Sequence, residues 1–136
     1  MLIEGEYKNG EKNGKIKEYD INGNLLFEGE YIKDIKNGKG KQYSNNELIF
    51  EGEYLNGERW NGKGKEYNYD GILIFEGEYI NGKWKGKGKE FYKNGELEYE
   101  GEFLDGKRHG KGIKYYKNGG VKYEGQFLNG KINEKK

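Results

Sequence analysis

The chain has 136 residues, 25 of them Gly, with no Pro, Cys, Ala or Thr. Charged residues make up 36%, yet 25 Lys and Arg against 24 Asp and Glu leave a net charge of only +1. The length suits one domain over 1–136, and the balanced charge argues against disorder even though Leu, Ile, Val and Phe are only about a fifth of the chain.

Thirteen Tyr, six Phe and two Trp supply the apolar area that the aliphatics lack. The longest run without Gly is 11 residues, 41–51, so no helix of ordinary length escapes a costly glycine. No apolar run reaches membrane-spanning length, and Met1-Leu2-Ile3-Glu4-Gly5 does not read as a signal peptide. The lack of Cys removes disulfides, thiolate chemistry and Cys-based zinc sites, and a lone His109 is too little for a transition-metal site. These exclusions leave an all-β, Gly-rich protein, expected to be cytoplasmic and to need no cofactor or metal.

In chain order, one phrase recurs. Ile3-Glu4-Gly5-Glu6-Tyr7 opens it, Phe-Glu-Gly-Glu-Tyr follows at 27–31, 50–54 and 75–79, and Tyr99-Glu100-Gly101-Glu102-Phe103 and Tyr123-Glu124-Gly125-Gln126-Phe127 close it. The central glycines are 24, 23, 25, 24 and 24 residues apart. A second phrase alternates with the first: Gly14-Lys15-Ile16-Lys17-Glu18-Tyr19, Gly38-Lys39-Gly40-Lys41-Gln42-Tyr43, Gly62-Lys63-Gly64-Lys65-Glu66-Tyr67, Gly86-Lys87-Gly88-Lys89-Glu90-Phe91 and Gly110-Lys111-Gly112-Ile113-Lys114-Tyr115. Such regularity marks a repeat architecture with units beginning near 3, 27, 50, 75 and 99, and a partial one at 123.

Ten Asn-Gly and two Asp-Gly dipeptides separate the phrases and suit two-residue type I′ hairpin turns. Counting outward from Asn94-Gly95 as such a turn sets Tyr92 opposite Leu97, Glu90 opposite Tyr99 and Gly88 opposite Gly101. One face then carries rings and glycines, and the other pairs Lys89 with Glu100 and Lys87 with Glu102. Opposite charges across an antiparallel pair add roughly 0.2–1 kcal/mol each. Rings lying over bare glycine backbone recover area that glycine does not bury, and would lock neighbouring repeats together.

These phrases resemble the MORN repeat, a unit of about 23 residues with the core Tyr-x-Gly-x-aromatic followed by x-Asn-Gly-Lys-x-x-Gly-x-Gly. Tyr99 to Phe103 followed by Leu104-Asp105-Gly106-Lys107-Arg108-His109-Gly110-Lys111-Gly112 carries the match, and Tyr92-Lys93-Asn94-Gly95-Glu96-Leu97 is similar to the bacterial variant. The pattern departs at Ile16 and Ile113, and the usual Trp of the first phrase is Tyr or Phe throughout. The resemblance implies a single-layer, twisted antiparallel solenoid of five to six β-hairpin repeats, and roles in scaffolding, partner binding, dimerisation and membrane association.

Each candidate site has a plainer competitor. The Glu-x-Glu pairs repeat in like surroundings, whereas acid–base work needs one pair in unlike ones, so they read as a charge ladder. Gly-Lys-Gly-Lys lacks the helix and the Ser or Thr of a phosphate loop. Two Arg against 23 Lys, interleaved with carboxylates, argue against nucleic acid. No nucleophile, base and orienter can be assembled, so no enzyme is expected.

The leading reading is a non-catalytic scaffold that takes a protein or peptide in an aromatic, glycine-lined groove, with Tyr54, Phe75, Tyr79, Tyr99 and Phe103 as anchors. Trp60, Trp84 and His109 are placed in hairpin loops, the two Trp as further contacts. Association with anionic lipid head groups and a carbohydrate-binding module are the alternatives. The apolar Leu2 and Ile3 against the charged tail 131–136 imply a weak homodimer through the N-terminal edge.

Overall fold

A computed structural model describes residues 1–134, and the last two lysines of the expected charged tail lie outside the described residues. The described fold is all-β, with twelve strands following one another as antiparallel hairpins and no helix. They are β1 (Leu2–Lys8), β2 (Glu11–Tyr19), β3 (Leu25–Ile32), β4 (Ile35–Ser44), β5 (Glu47–Leu55), β6 (Glu58–Tyr67), β7 (Leu73–Ile80), β8 (Lys83–Phe91), β9 (Leu97–Leu104), β10 (Lys107–Tyr115), β11 (Val121–Leu128) and β12 (Lys131–Ile132). Two compact units divide the chain, Met1–Gly62 and a second from Lys63 onward, with the division inside β6.

In the first unit β1 to β5 pair in chain order, Gly29 opposite Gly40 and Gly40 opposite Gly52. The second unit repeats the scheme from β7 to β12, Gly77 opposite Gly88, Gly88 opposite Gly101 and Gly101 opposite Gly112. The period-2 alternation of a strand puts Phe27, Gly29 and Tyr31 on one face and Glu28 and Glu30 on the other. The core is accordingly one-sided. Ile16, Phe27, Tyr31, Phe50 and Tyr54 fill it in the first unit, and Phe75, Tyr79, Tyr99, Phe103 and Phe127 in the second.

The glycines make this packing possible. A Cβ on Gly40 would stand 2.9 Å from ring carbons of both Phe27 and Tyr54. On Gly88 it would stand 3.1 Å from Phe75 and Phe103. Each such glycine is therefore a seat shared by rings from the strands on either side, and the expected lock of ring over glycine is present.

Two kinds of connection join the strands. Asn9-Gly10, Asn56-Gly57, Asn81-Gly82, Asp105-Gly106 and Asn129-Gly130 have positive φ at both residues, as a type I′ turn requires. Lys33-Asp34 and Asn45-Asn46 adopt the same turn without a glycine. Asp34 compensates, since its N–H donates to Lys12 O at 3.0 Å and its Oδ1 accepts from Lys12 N at 2.6 Å.

The second kind corrects the expected register at Asn94-Gly95. Asn94 does not have positive φ, and Gly95 alone does, at 88°. Gly95 N–H donates to Tyr92 O at 2.9 Å, and Tyr92 N–H donates to Glu96 O at 2.8 Å, closing a longer loop. The extra loop residue shifts the strand end, so Phe91 rather than Tyr92 faces Leu97, while Glu90–Tyr99 and Gly88–Gly101 pair as expected. Asp20 and Asn68 tie the equivalent loops through their side chains, each accepting two backbone N–H bonds.

Candidate interaction surfaces

On the ring face, every repeat builds the same arrangement. The residue two places after the type I′ turn is Lys12, Lys36, Arg59, Trp84 or Arg108, spaced 24, 23, 25 and 24 apart like the central glycines. Each is half-buried and lies on the ring layer. Lys12 Nζ sits 4.5 Å from the Tyr31 ring centre, Lys36 Nζ 4.2 Å from Phe27, and Arg59 Cζ 4.8 Å from Phe50. In the second unit Arg108 Cζ lies 4.8 Å from Tyr99, and the Trp84 indole stacks on Phe75 with centres 3.8 Å apart and planes 1° apart. A cation over a ring face contributes about 0.5–1 kcal/mol where exposed and more where desolvated.

A row of acceptors, again one per repeat, holds this layer. Glu18 accepts from Tyr31 Oη at 2.7 Å and faces Lys12 Nζ at 3.9 Å. Gln42 accepts from Tyr54 Oη at 3.3 Å and from Arg59 Nη2 at 3.1 Å. Glu66 accepts from Tyr79 Oη at 2.5 Å and from Trp84 Nε1 at 3.1 Å. Arg108 donates from Nε to Glu90 at 2.8 Å and from Nη2 to Glu98 at 2.9 Å, and Lys114, which replaces the acid of its repeat, adds a bond to Glu98 at 3.3 Å.

Burial sets the protonation of this layer. It pushes the Tyr54 and Tyr99 hydroxyls up to about 12 and Tyr31 higher still, the last helped by Glu18. Burial also draws the Lys36 ammonium down, while Glu18 pulls it back up. For Glu98, burial is outweighed by Arg108 and Lys114, and its carboxyl is held below the usual carboxylate range.

The opposite face carries the charge ladder, with Lys17–Glu28 at 3.9 Å, Lys41–Glu51 at 3.8 Å and Lys65–Glu76 at 3.9 Å. Their side chains are 30–58% exposed, so each pair contributes about 0–1 kcal/mol. The second Glu of each phrase has a further task. Register shifts between Gly29 and Tyr31 and its equivalents mark a bulge on the facing strand, where Gly38 and Gly110 take φ of 98° and 76°. Glu6, Glu30 and Glu102 reach across to accept the Lys15, Lys39 and Lys111 N–H at 2.7, 3.3 and 2.8 Å. In the first unit a trough of about 780 Å³ runs over the Gly29, Gly40 and Gly52 backbone, between the Glu28, Lys41 and Glu51 row and the Glu30, Lys39 and Glu53 row.

The structure thus places the residues named from sequence as follows. Tyr54, Phe75, Tyr79, Tyr99 and Phe103 lie in the core at 0–5% exposure, under the covering row. Trp60, Trp84 and His109 lie in β6, β8 and β10 rather than in loops, because the turns end two or three residues before them and the paired strand begins at once. The residue by which the Trp60 segment exceeds its counterparts is taken up inside β6. The covering row escaped the sequence reading. Its signal was its period, hidden because Lys, Arg and Trp look unlike one another.

A family model for the MORN repeat matches residues 4–24, 27–47, 75–96, 99–121 and 123–135. The unmatched stretch 48–74 contains the extra residue of β6. No curated protein matches the chain. MORN repeats are in general modules for interaction with proteins or membranes, and no helix among the described residues is long and apolar enough to cross a membrane. Five matched segments covering most of the chain, one hairpin to each full repeat and rings seated on the repeated glycines all agree: the chain belongs to the MORN-repeat family.

Proposed function

We propose that the chain is a non-catalytic scaffold that binds another polypeptide on its ring face, the covering row making the contact and the buried rings holding it in place. The observation that carries this reading is the row itself. One position of each repeat presents Lys12, Lys36 and Arg59 in the first unit, and Trp84 and Arg108 in the second, half-buried over aromatic rings. Arg and Trp are the residue types that dominate binding energy at protein interfaces, and side chains already held by stacking and hydrogen bonds lose little freedom on binding. Tyr54, Phe75, Tyr79, Tyr99 and Phe103 act in this reading as the bed on which the contact residues rest.

A displayed peptide library selected on the intact chain tests it. Selected peptides should lose binding to Lys36→Gln and to Trp84→Leu variants, each assayed at a temperature where circular dichroism shows it still folded. Retained binding in both folded variants overturns the ring-face reading. Binding that instead vanishes on Lys39→Glu and Lys41→Glu, with steep salt dependence and uptake by anionic vesicles, establishes the membrane alternative.

A further inference from the structure

We propose that Asn9 is a site of spontaneous covalent modification, where the side-chain amide is converted to aspartate or isoaspartate ahead of the matched turns at Asn56 and Asn129. The three share the dipeptide Asn-Gly, the type I′ conformation and an exposed Asn. They differ in what holds the glycine N–H. Gly57 N–H donates to Lys36 O at 2.9 Å, and Gly130 N–H to Arg108 O at 2.9 Å, so each of these turns is tied to the hairpin before it. Gly10 N–H has no acceptor among the described residues, and a Cβ built on Gly10 would meet nothing within 4 Å beyond its chain neighbours.

The chemistry needs only water. The Gly10 nitrogen forms a bond to Asn9 Cγ, the Cγ–Nδ2 bond breaks, and ammonia leaves carrying the proton from Gly10. Water then opens the five-membered imide at either carbonyl, leaving aspartate or isoaspartate. The attacking nitrogen must first be released from any carbonyl that holds it, and the turn must open locally, so a tied turn reacts more slowly. Isoaspartate lengthens the main chain by one methylene, which a two-residue turn cannot absorb without shifting the β1–β2 register.

The intact chain is incubated at mildly alkaline pH, and peptides containing Asn9, Asn56 and Asn129 are followed by mass spectrometry. Asn9 should convert about tenfold faster than the other two, the factor set by one released hydrogen bond. In concentrated urea the three rates should converge. Equal rates in the native chain overturn the proposal, and so does an order that persists unchanged in urea, since local sequence rather than the missing acceptor would then set it.

Discussion

Replacing Gly40 by Ala is expected to destabilise the first unit by about 1–2 kcal/mol, from over-packing of about 1–3 kcal/mol offset by about 0.4–1 kcal/mol gained from a stiffer unfolded chain. The new Cβ would stand 2.9 Å from two Phe27 carbons and 2.9 Å from Tyr54 Cε1. Neither ring has room to retreat, because Phe27 and Tyr54 are 2% and 5% exposed and meet edge to face at 5.4 Å. Gly40 is not among the residues with positive φ, so backbone strain plays no part. Urea unfolding read by Trp60 fluorescence in a Trp84→Phe background reports on the first unit. With a slope of about 2 kcal/mol per molar urea, the midpoint should fall by about 0.5–1 M. Gly120→Ala is the control. It lies exposed in a loop without positive φ, its nearest atom is Asn118 Oδ1 at 3.3 Å, and its effect should stay within about 0.5 kcal/mol. Adding Phe27→Leu to Gly40→Ala should cost less than Phe27→Leu alone, because the smaller side chain removes the collision. Equal midpoints for Gly40→Ala and Gly120→Ala would refute ring-over-glycine packing as the basis of the repeat.

Trp84→Ala should cost about 2 kcal/mol or more in urea unfolding, through loss of the Phe75 stack and the bond to Glu66, and Trp84→Phe should recover most of it. Arg108→Met should cost about 3 kcal/mol at neutral pH, because Glu90 and Glu98 lose the guanidinium that pairs them. The lowered carboxyl of Glu98 adds stability above the ordinary Glu value of about 4.3, and this is lost as pH falls through its folded value. The gap between parent and Arg108→Met should therefore narrow in acid, and a gap independent of pH counts against the pairing. Tyr54 and Tyr99 titrate at about 12 in the fold, against about 10 in the unfolded chain, so their contribution is complete below about 10 and disappears as pH rises to 12. Tyrosinate absorbance should show a late group of hydroxyls appearing together with loss of the β-sheet signal; a single transition near pH 10 with the sheet intact would contradict this.

The repeat, the hairpin plan and the division of each strand into a ring face and a charged face were legible in the sequence, because period-2 alternation and Gly-centred phrases act within a few residues. So was the pairing of Gly88 with Gly101 and Lys89 with Glu100, since opposite charges and small residues agree on one register. The turns were legible only where both turn residues carried their own signal. Asn56-Gly57 did, whereas Lys33-Asp34 bends through bonds to Lys12, 22 residues away in the chain. Asn94-Gly95 carried the right dipeptide, yet its longer loop selected a different turn. What the rings do was decided by the tertiary structure alone. Their spacing shows that Phe50 and Tyr54 share a face, as do Tyr99 and Phe103, but not that neighbouring strands bring Arg59 and Arg108 across those layers and leave the rings at 5% exposure or less. Exposure depends on what covers a residue, and here the cover comes from the second strand of the same hairpin, Arg59 over Phe50 and Arg108 over Tyr99, a contact set by how the two strands pair and not by the pattern of either one.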